Sequence, residues 1–226
     1  MDKNKKIGLI VDVETTGLRP GADEMIELAL IQFAYQKDTG EFLDILDQQS
    51  FLREPLSSTS KRNYSSAFKI HGIPFSDVEG KVFDDPKVKN LLSDSDSVFA
   101  HNASFDRSFL YHMYPEINDL HWYCTMRNVP WKVYGFENSK LLTLLQAHGI
   151  TKYQSHRALD DITNLMHLLK KESPSGSPYL KEVVSKRPMR RYDPQPKTSG
   201  KWKSYIKQTA DETGAASEGS QYKRKF

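Results

Sequence analysis

Three short stretches carry acids at spacings that can do chemistry: VDVETTGL at 11–18, HNASFD at 101–106 and HRALDD at 156–161. Asp12 and Glu14 follow the apolar run IGLI, so in a strand the two carboxylates stand side by side on one face. Two like charges buried together repel strongly, and burying either without a partner is costly or shifts its pKa. A cation between them relieves both problems. The chain has one cysteine, Cys124, and no Cys-x-x-Cys or His-Glu-x-x-His cluster, so any metal must be held by carboxylates. Hard oxygen ligands select magnesium or manganese.

Each segment also has a plainer reading. Asp-x-Glu pairs are frequent by chance and mostly solvated, but here the acids alternate with apolar residues and lead into Thr15, Thr16 and Gly17. Gly17 suits a tight turn whose backbone N–H groups can approach a phosphate or a substrate end. Asp106 falls in the first turn of a helix beginning at Asn102 or Ser104, where an acid complements the helix dipole without any metal. That helix leaves the short apolar strand SVFA at its C-terminal end, the usual ligand position in open α/β sheets. In HRALDD the choice between Asp160 and Asp161 stays open. If the helix includes His156, Asp160 shares its face, whereas a His on the preceding loop is outside that periodicity.

The elements that must position these groups follow from apolar patterning. Residues 7–13, 25–35 and 41–52 read as strands of a meander, the second with partial alternation, and 97–101 and 121–125 as two further short strands. Helices are expected over 64–73, 85–94 (Asp85 as N-cap, Pro86 at the first position), 104–114, 137–150 and 156–172. Strands first as a meander and then alternating with helices imply an α/β fold with a mixed, helix-covered sheet.

The apolar content of 38% is enough for a real core. No apolar run is long enough for a membrane span, and the N-terminus does not fit a cleavable signal, so a soluble cytoplasmic protein is expected, with the nucleoid or nucleus as other locations. The overall charge of +3 hides an asymmetry: residues 174–226 carry twelve Lys/Arg against five Asp/Glu, leaving 1–173 at −4. SPSGSP at 173–178 reads as a linker, dividing a catalytic body, 1–173, from a basic, flexible tail, 174–226. In that tail KRPMRRYDP and GKWKSYIK interleave basic and aromatic residues, which can track phosphates and stack on bases, dock a protein partner, or simply be solvated.

Taken together and in this order, Asp12-x-Glu14 in DVETTGL, Asp106 in HNASFD and His156-x-Ala158-x-x-Asp161 resemble the DEDDh branch of the 3′-to-5′ exonucleases, the family of proofreading subunits, exonuclease X and ribonuclease T. IHGI at 70–73, Cys124-Thr125 and KLLTLLQAHGI extend the likeness from about Lys6 to Lys171, and HNASFDR and CTM look most like exonuclease X members. The resemblance implies a ribonuclease H-like fold, with a five-stranded mixed sheet, its second strand antiparallel, and helices on both faces. It implies two Mg²⁺ (or Mn²⁺) ions: Asp12 bridging both, Glu14 and Asp161 completing the first site, Asp106 holding the second through water, and His156 as general base. It also implies that Thr15, Thr16, Gly17 and Leu18 receive the terminal nucleotide, with His71 and Asn102 near the scissile end. His71 alternatively caps a helix, and Phe105 alternatively joins the core with Phe109.

This chemistry agrees with the residue types. Phosphodiester hydrolysis needs a deprotonated water, neutralised transition-state charge and a stabilised leaving oxygen. Two metals supply the charge stabilisation and acidify the water, and a His can take the remaining proton near neutral pH. The expectation is a metal-dependent 3′-to-5′ exonuclease on single-stranded or 3′-frayed DNA, releasing nucleoside 5′-monophosphates and favouring DNA over RNA. The alternatives are an exoribonuclease of the ribonuclease T or oligoribonuclease kind, and a non-catalytic binding protein on the same fold.

Overall fold

A computed structural model of the chain, describing residues 3–194, places the acid-bearing strand at the centre of a five-stranded sheet. The meander is β1 (Lys5–Thr15), β2 (Met25–Gln36) and β3 (Phe42–Leu52), followed by α1 (Ser58–His71), α2 (Phe75–Val78) and α3 (Asp85–Ser93). Then come β4 (Ser97–Ala100), α4 (Ser104–Met113), a 3₁₀ turn at Pro115–Asp119, β5 (His121–Cys124) and α5 (Thr125–Asn128). α6 (Leu141–Ala147), α7 (Ala158–Lys170) and α8 (Tyr179–Val184) close the described part. The sheet order is β3-β2-β1-β4-β5, with β2 antiparallel to its neighbours and β4 and β5 parallel to β1. This is the mixed sheet expected from the sequence.

Alternation along β1 assigns its side chains to two cores. Leu9, Val11 and Val13 pack with Val88, Leu91, Phe109 and Leu110 of α3 and α4. Ile10 packs with Ile162 and Leu165 of α7 and Leu180 of α8. Asp12 and Glu14 continue the Ile10 row by the period of two, toward α7. β2, read as partly alternating, is buried from Met25 to Tyr35 because helices cover both of its faces. Gly8 permits the aromatic packing beneath the site, since a Cβ there would lie 2.6 Å from Phe33 Cζ and 2.9 Å from Phe99 Cε2.

Several boundaries shift for local reasons. α1 begins at Ser58 rather than 64, because Ser57 Oγ accepts from the Ser60 N–H and caps the earlier turn. α3 is capped by Asp84, whose side chain accepts from the Lys87 N–H, and not by Asp85. Asp85 instead accepts a 2.6 Å hydrogen bond from the Tyr114 hydroxyl. α6 and α7 are shorter than expected, and His156 lies before α7 rather than in it.

The boundary expected at 173 falls inside the compact unit, which continues to Asp193. The supposed linker is a hydrogen-bonded turn, with the Ser173 N–H donating to the Ser177 carbonyl at 2.8 Å. Beyond it α8 buries Tyr179, Leu180, Val183 and Val184. Residues 186–193 then run back as a strap. The Met189 N–H donates to the Trp122 carbonyl at 2.8 Å, Arg107 Nη1 donates to the Arg190 carbonyl at 2.6 Å, and Asn118 exchanges two hydrogen bonds with Tyr192. KRPMRRYD is therefore docked on the domain, whereas GKWKSYIK lies outside the described residues.

Candidate active site

The pairing of β1 with β4 stops at Ile10–Phe99, while β1 continues to Thr15 against β2. β4 leads into α4 on one face of the sheet, and α7 covers the other. The sheet thus opens a crevice at the C-terminal ends of its central strands, where such folds bind ligands. Asp12 and Glu14 enter it from β1, Asp106 from the first turn of α4 and Asp161 from the first turn of α7.

Ligand atoms of Glu14, His156 and Asp161 all lie within 4.8 Å of one another. Asp12 joins this group electrostatically. Its carboxyl is held well above the usual range by desolvation first, and then by the charges of Asp106, Glu14 and Asp161. Glu14 is raised likewise by desolvation, Asp161 and Glu27, with Arg157 opposing. Neither residue is fully covered, but both are crowded by neighbours that displace water, and that crowding sets the direction. Desolvation pushes Asp106 up to about 7, partly offset by the backbone N–H groups of Asp106 and Val13. Asp161 rises to about 6 through desolvation, opposed by the Gln154 hydrogen bond. Gln154 Nε2 reaches Asp161 Oδ2 at 2.5 Å, and the buried Oδ1 has no hydrogen-bond partner.

The two adjacent acids face different ways. Helix α7 starts at Ala158, so Asp161 turns inward and Asp160 is exposed, accepting from the Ser155 hydroxyl at 2.9 Å. His156 is exposed on the preceding loop, and partial desolvation lowers its pKa, favouring the neutral ring. Among the described residues the non-glycine positions with positive φ are Asn102, at 70°, and His156, at 53°. Left-handed backbone is costly for a side chain other than glycine and persists only where surrounding contacts hold it. Both lie in acid-bearing segments, Asn102 in HNASFD and His156 in HRALDD.

The loop after β1 is pinned at its base. The Thr16 N–H donates to the Glu24 carbonyl at 2.9 Å, and the Glu24 N–H returns to Thr16 Oγ1 at 3.0 Å. Asp23 accepts from the Arg19 backbone and guanidinium and lies under Gly17. A Cβ at Gly17 would sit 2.6 Å from Asp23 Oδ2, so glycine is needed for close approach rather than for an unusual φ. Thr15 and Thr16 are buried, whereas Leu18 is 40% exposed at the loop's tip.

Gly72 caps α1 through its N–H on the Phe68 carbonyl, and the residue before it, the last of the helix, is His71. Its Nδ1 accepts from the Ile73 N–H at 3.0 Å, and burial lowers its pKa to about 4. The ring is therefore neutral with its proton on Nε2, and this buried Nε2 has no partner. Phe105 does pack with Phe109, their ring centroids 4.9 Å apart.

Two residues of the site region escape a reading by motif. His101 bridges Thr125 Oγ1 at 2.9 Å and the Ser139 carbonyl at 2.8 Å, tying the ends of β4 and β5 to the segment before α6. Glu27 is 1% exposed and lies opposite Glu14 in the β1–β2 register. Its signal was a single acid inside the apolar run MIELALI.

Residues 9–169 match the RNase_T family, described as Exonuclease, and this span includes every acid of the crevice. The chain belongs to the RNase_T exonuclease family. It is a family of 3′-to-5′ exonucleases acting on nucleic acids, as its motifs resembled. The chain is 29% identical over 174 residues to the PolC-type DNA polymerase III of Bacillus subtilis, covering 72% of this chain and 11% of that one. It is 31% identical over 158 residues to the Listeria welshimeri counterpart, covering 67% and 10%. This exonuclease-family chain thus spans about a tenth of the length of those relatives. Its fold is like that of Escherichia coli exonuclease I in complex with a dT13 oligonucleotide, at a TM-score of 0.57, 17% identity, and coverage of 75% of this chain and 42% of that one. A 3′-exonuclease recognising a histone mRNA stem-loop matches at a TM-score of 0.51, 17% identity, and coverage of 74% and 80%. These likenesses show the ribonuclease H-like exonuclease fold. Among the described residues no helix is long and apolar enough to cross a membrane.

Proposed function

We propose that this protein is a divalent-metal-dependent 3′-to-5′ exonuclease acting on single-stranded or 3′-frayed DNA and releasing nucleoside 5′-monophosphates. The observation carrying this reading is the convergence of Asp12, Glu14, Asp106, Asp161 and His156 at one strand-end crevice. The residues fit hard cations. The donors are oxygens, their mutual repulsion raises their pKa values, and Asp161 Oδ1 is buried without a partner. Asp12, Glu14, Asp106 and Asp161 would hold two Mg²⁺ or Mn²⁺ ions. When bound, such ions stabilise phosphoryl and leaving-oxygen charge and acidify water.

The chain's own groups supply the rest. Neutral His156, kept so by desolvation, accepts the proton of the attacking water and passes it to solvent across its exposed edge. The backbone of Thr15–Leu18 receives the terminal nucleotide, with Leu18 packing on its base. His71, at the end of α1, and Asn102, at the turn into α4, stand near the scissile end. DNA is favoured because the sequence relatives are DNA polymerases and one structural neighbour holds a DNA oligonucleotide. Exposed Arg187, Arg190 and Arg191 on the strap offer further phosphate contacts.

The test is purified protein on matched 5′-labelled DNA and RNA strands, with Mg²⁺ or EDTA, beside Asp12→Ala. Shortening from the 3′ end, faster on DNA and lost in EDTA and in the variant, is expected. Activity surviving Asp12→Ala refutes the mechanism. Faster loss of RNA makes the protein an exoribonuclease, and no cleavage of either strand makes it a binding protein.

A further inference from the structure

Helix α7 has no side-chain cap of its own: its N-cap residue, Arg157, makes no such hydrogen bond. The first N–H groups of a helix need acceptors. Here the acceptor comes from a distant strand, because Glu27 Oε2 takes the Ala158 N–H at 3.1 Å across a sequence separation of 131. The same carboxylate is gripped by Arg157. Nη2 reaches Oε1 at 3.0 Å, and Nε lies 3.3 Å from each oxygen. Ser50 Oγ adds a contact at 3.2 Å. Glu27 is thus a carboxylate at a helix N-terminus with a bidentate guanidinium partner, favourable on both counts.

The residues it holds directly follow His156, whose left-handed backbone must be fixed from outside. The Asp161 N–H donates to the Arg157 carbonyl at 3.0 Å, so one anchor sets the starts of both functional residues. Glu27 also faces Glu14 in register. Its oxygens are taken up by Arg157, Ala158 and Ser50, which leaves it a poor further metal ligand despite its nearness to the acids. On the functional reading above, we propose that Glu27 and Arg157 form a positioning pair, capping α7 from β2 and holding His156 and Asp161 in register with Asp12 and Glu14.

The test compares full-length wild type with Glu27→Gln, Arg157→Met and the double variant, which removes both charges of the pair so that neither is left unpartnered, and so guards against loss of folding. Kinetics on a labelled DNA strand are read beside ¹H–¹³C spectra of the His156 ring, assigned by the peak missing in His156→Ala. Expected is a kcat loss of about 10–100-fold in each single variant, with KM changed less than about threefold. The double variant should be no worse than the poorer single one, because both act through one contact. The His156 ring peak should move toward its position in an unfolded peptide in all three. An unmoved ring peak, single-variant losses that multiply, or a raised KM with kcat intact overturns the proposal. A wild type inactive on nucleic acid overturns the functional reading instead, and the ring spectra still decide whether the pair positions His156.

Discussion

Replacing Asp106 with Asn is expected to stabilise the metal-free protein while removing its activity. Asp106 is 2% exposed, and desolvation lifts its carboxyl from an ordinary 3.8 to about 7. A group with a raised folded pKa binds protons more tightly when folded. Its contribution is therefore complete below about pH 4 and is lost as pH rises through about 7. At about 1.36 kcal/mol per pH unit, the displacement amounts to a ceiling of about 4 kcal/mol. Protons are shared among Asp12, Glu14, Asp106 and Asp161, so removing one charge also eases the others, and a net gain of about 1–3 kcal/mol is expected. Asn still offers an oxygen to the Val13 N–H, so little else changes. Urea unfolding in EDTA at about pH 8 should show the variant more stable than wild type, and at about pH 4.5 the gap should shrink to about a quarter. Adding Mg²⁺ should stabilise wild type more than the variant, because ligand binding to the folded state adds to stability. A variant no more stable than wild type in EDTA at about pH 8 refutes the idea that the acids repel one another in a desolvated crevice.

Asp161→Asn should lower the cleavage rate by about a hundredfold or more, whereas Asp160→Asn should stay within about twofold; equal losses in a single-turnover assay would contradict the inward orientation of Asp161. Ending the chain after residue 173 removes Tyr179, Leu180, Val183 and Val184 from the core, each worth about 1.5–3 kcal/mol. That sum rivals the whole stability of a typical domain, about 5–15 kcal/mol. Circular dichroism melts should show no cooperative transition for this form, whereas the full chain should melt cooperatively.

How much was legible in advance depends on whether a feature is local. The two-residue spacing of Asp12 and Glu14, the strand before HNASFD and the meander order are periodicities of neighbouring residues, and all reappear in the fold. Capping was legible in kind but misplaced by one residue at Asp84, because adjacent aspartates can each cap and packing against Tyr114 chose between them. The linker reading of SPSGSP failed because composition signals a turn as readily as a tether, and only the burial of α8 distinguishes them.

By itself the sequence determined which acids exist, which pair shares a strand face, and that carboxylates rather than cysteines must hold any metal. Only the tertiary structure decided that Asp161 rather than Asp160 turns inward, because the helix start at Ala158 sets the phase of that turn. Only it disclosed Glu27, whose role depends on Arg157 and Ala158 meeting it across the sheet. A lone acid in an apolar strand carries no mark of its partners, since their approach is decided by how β2 and α7 pack together.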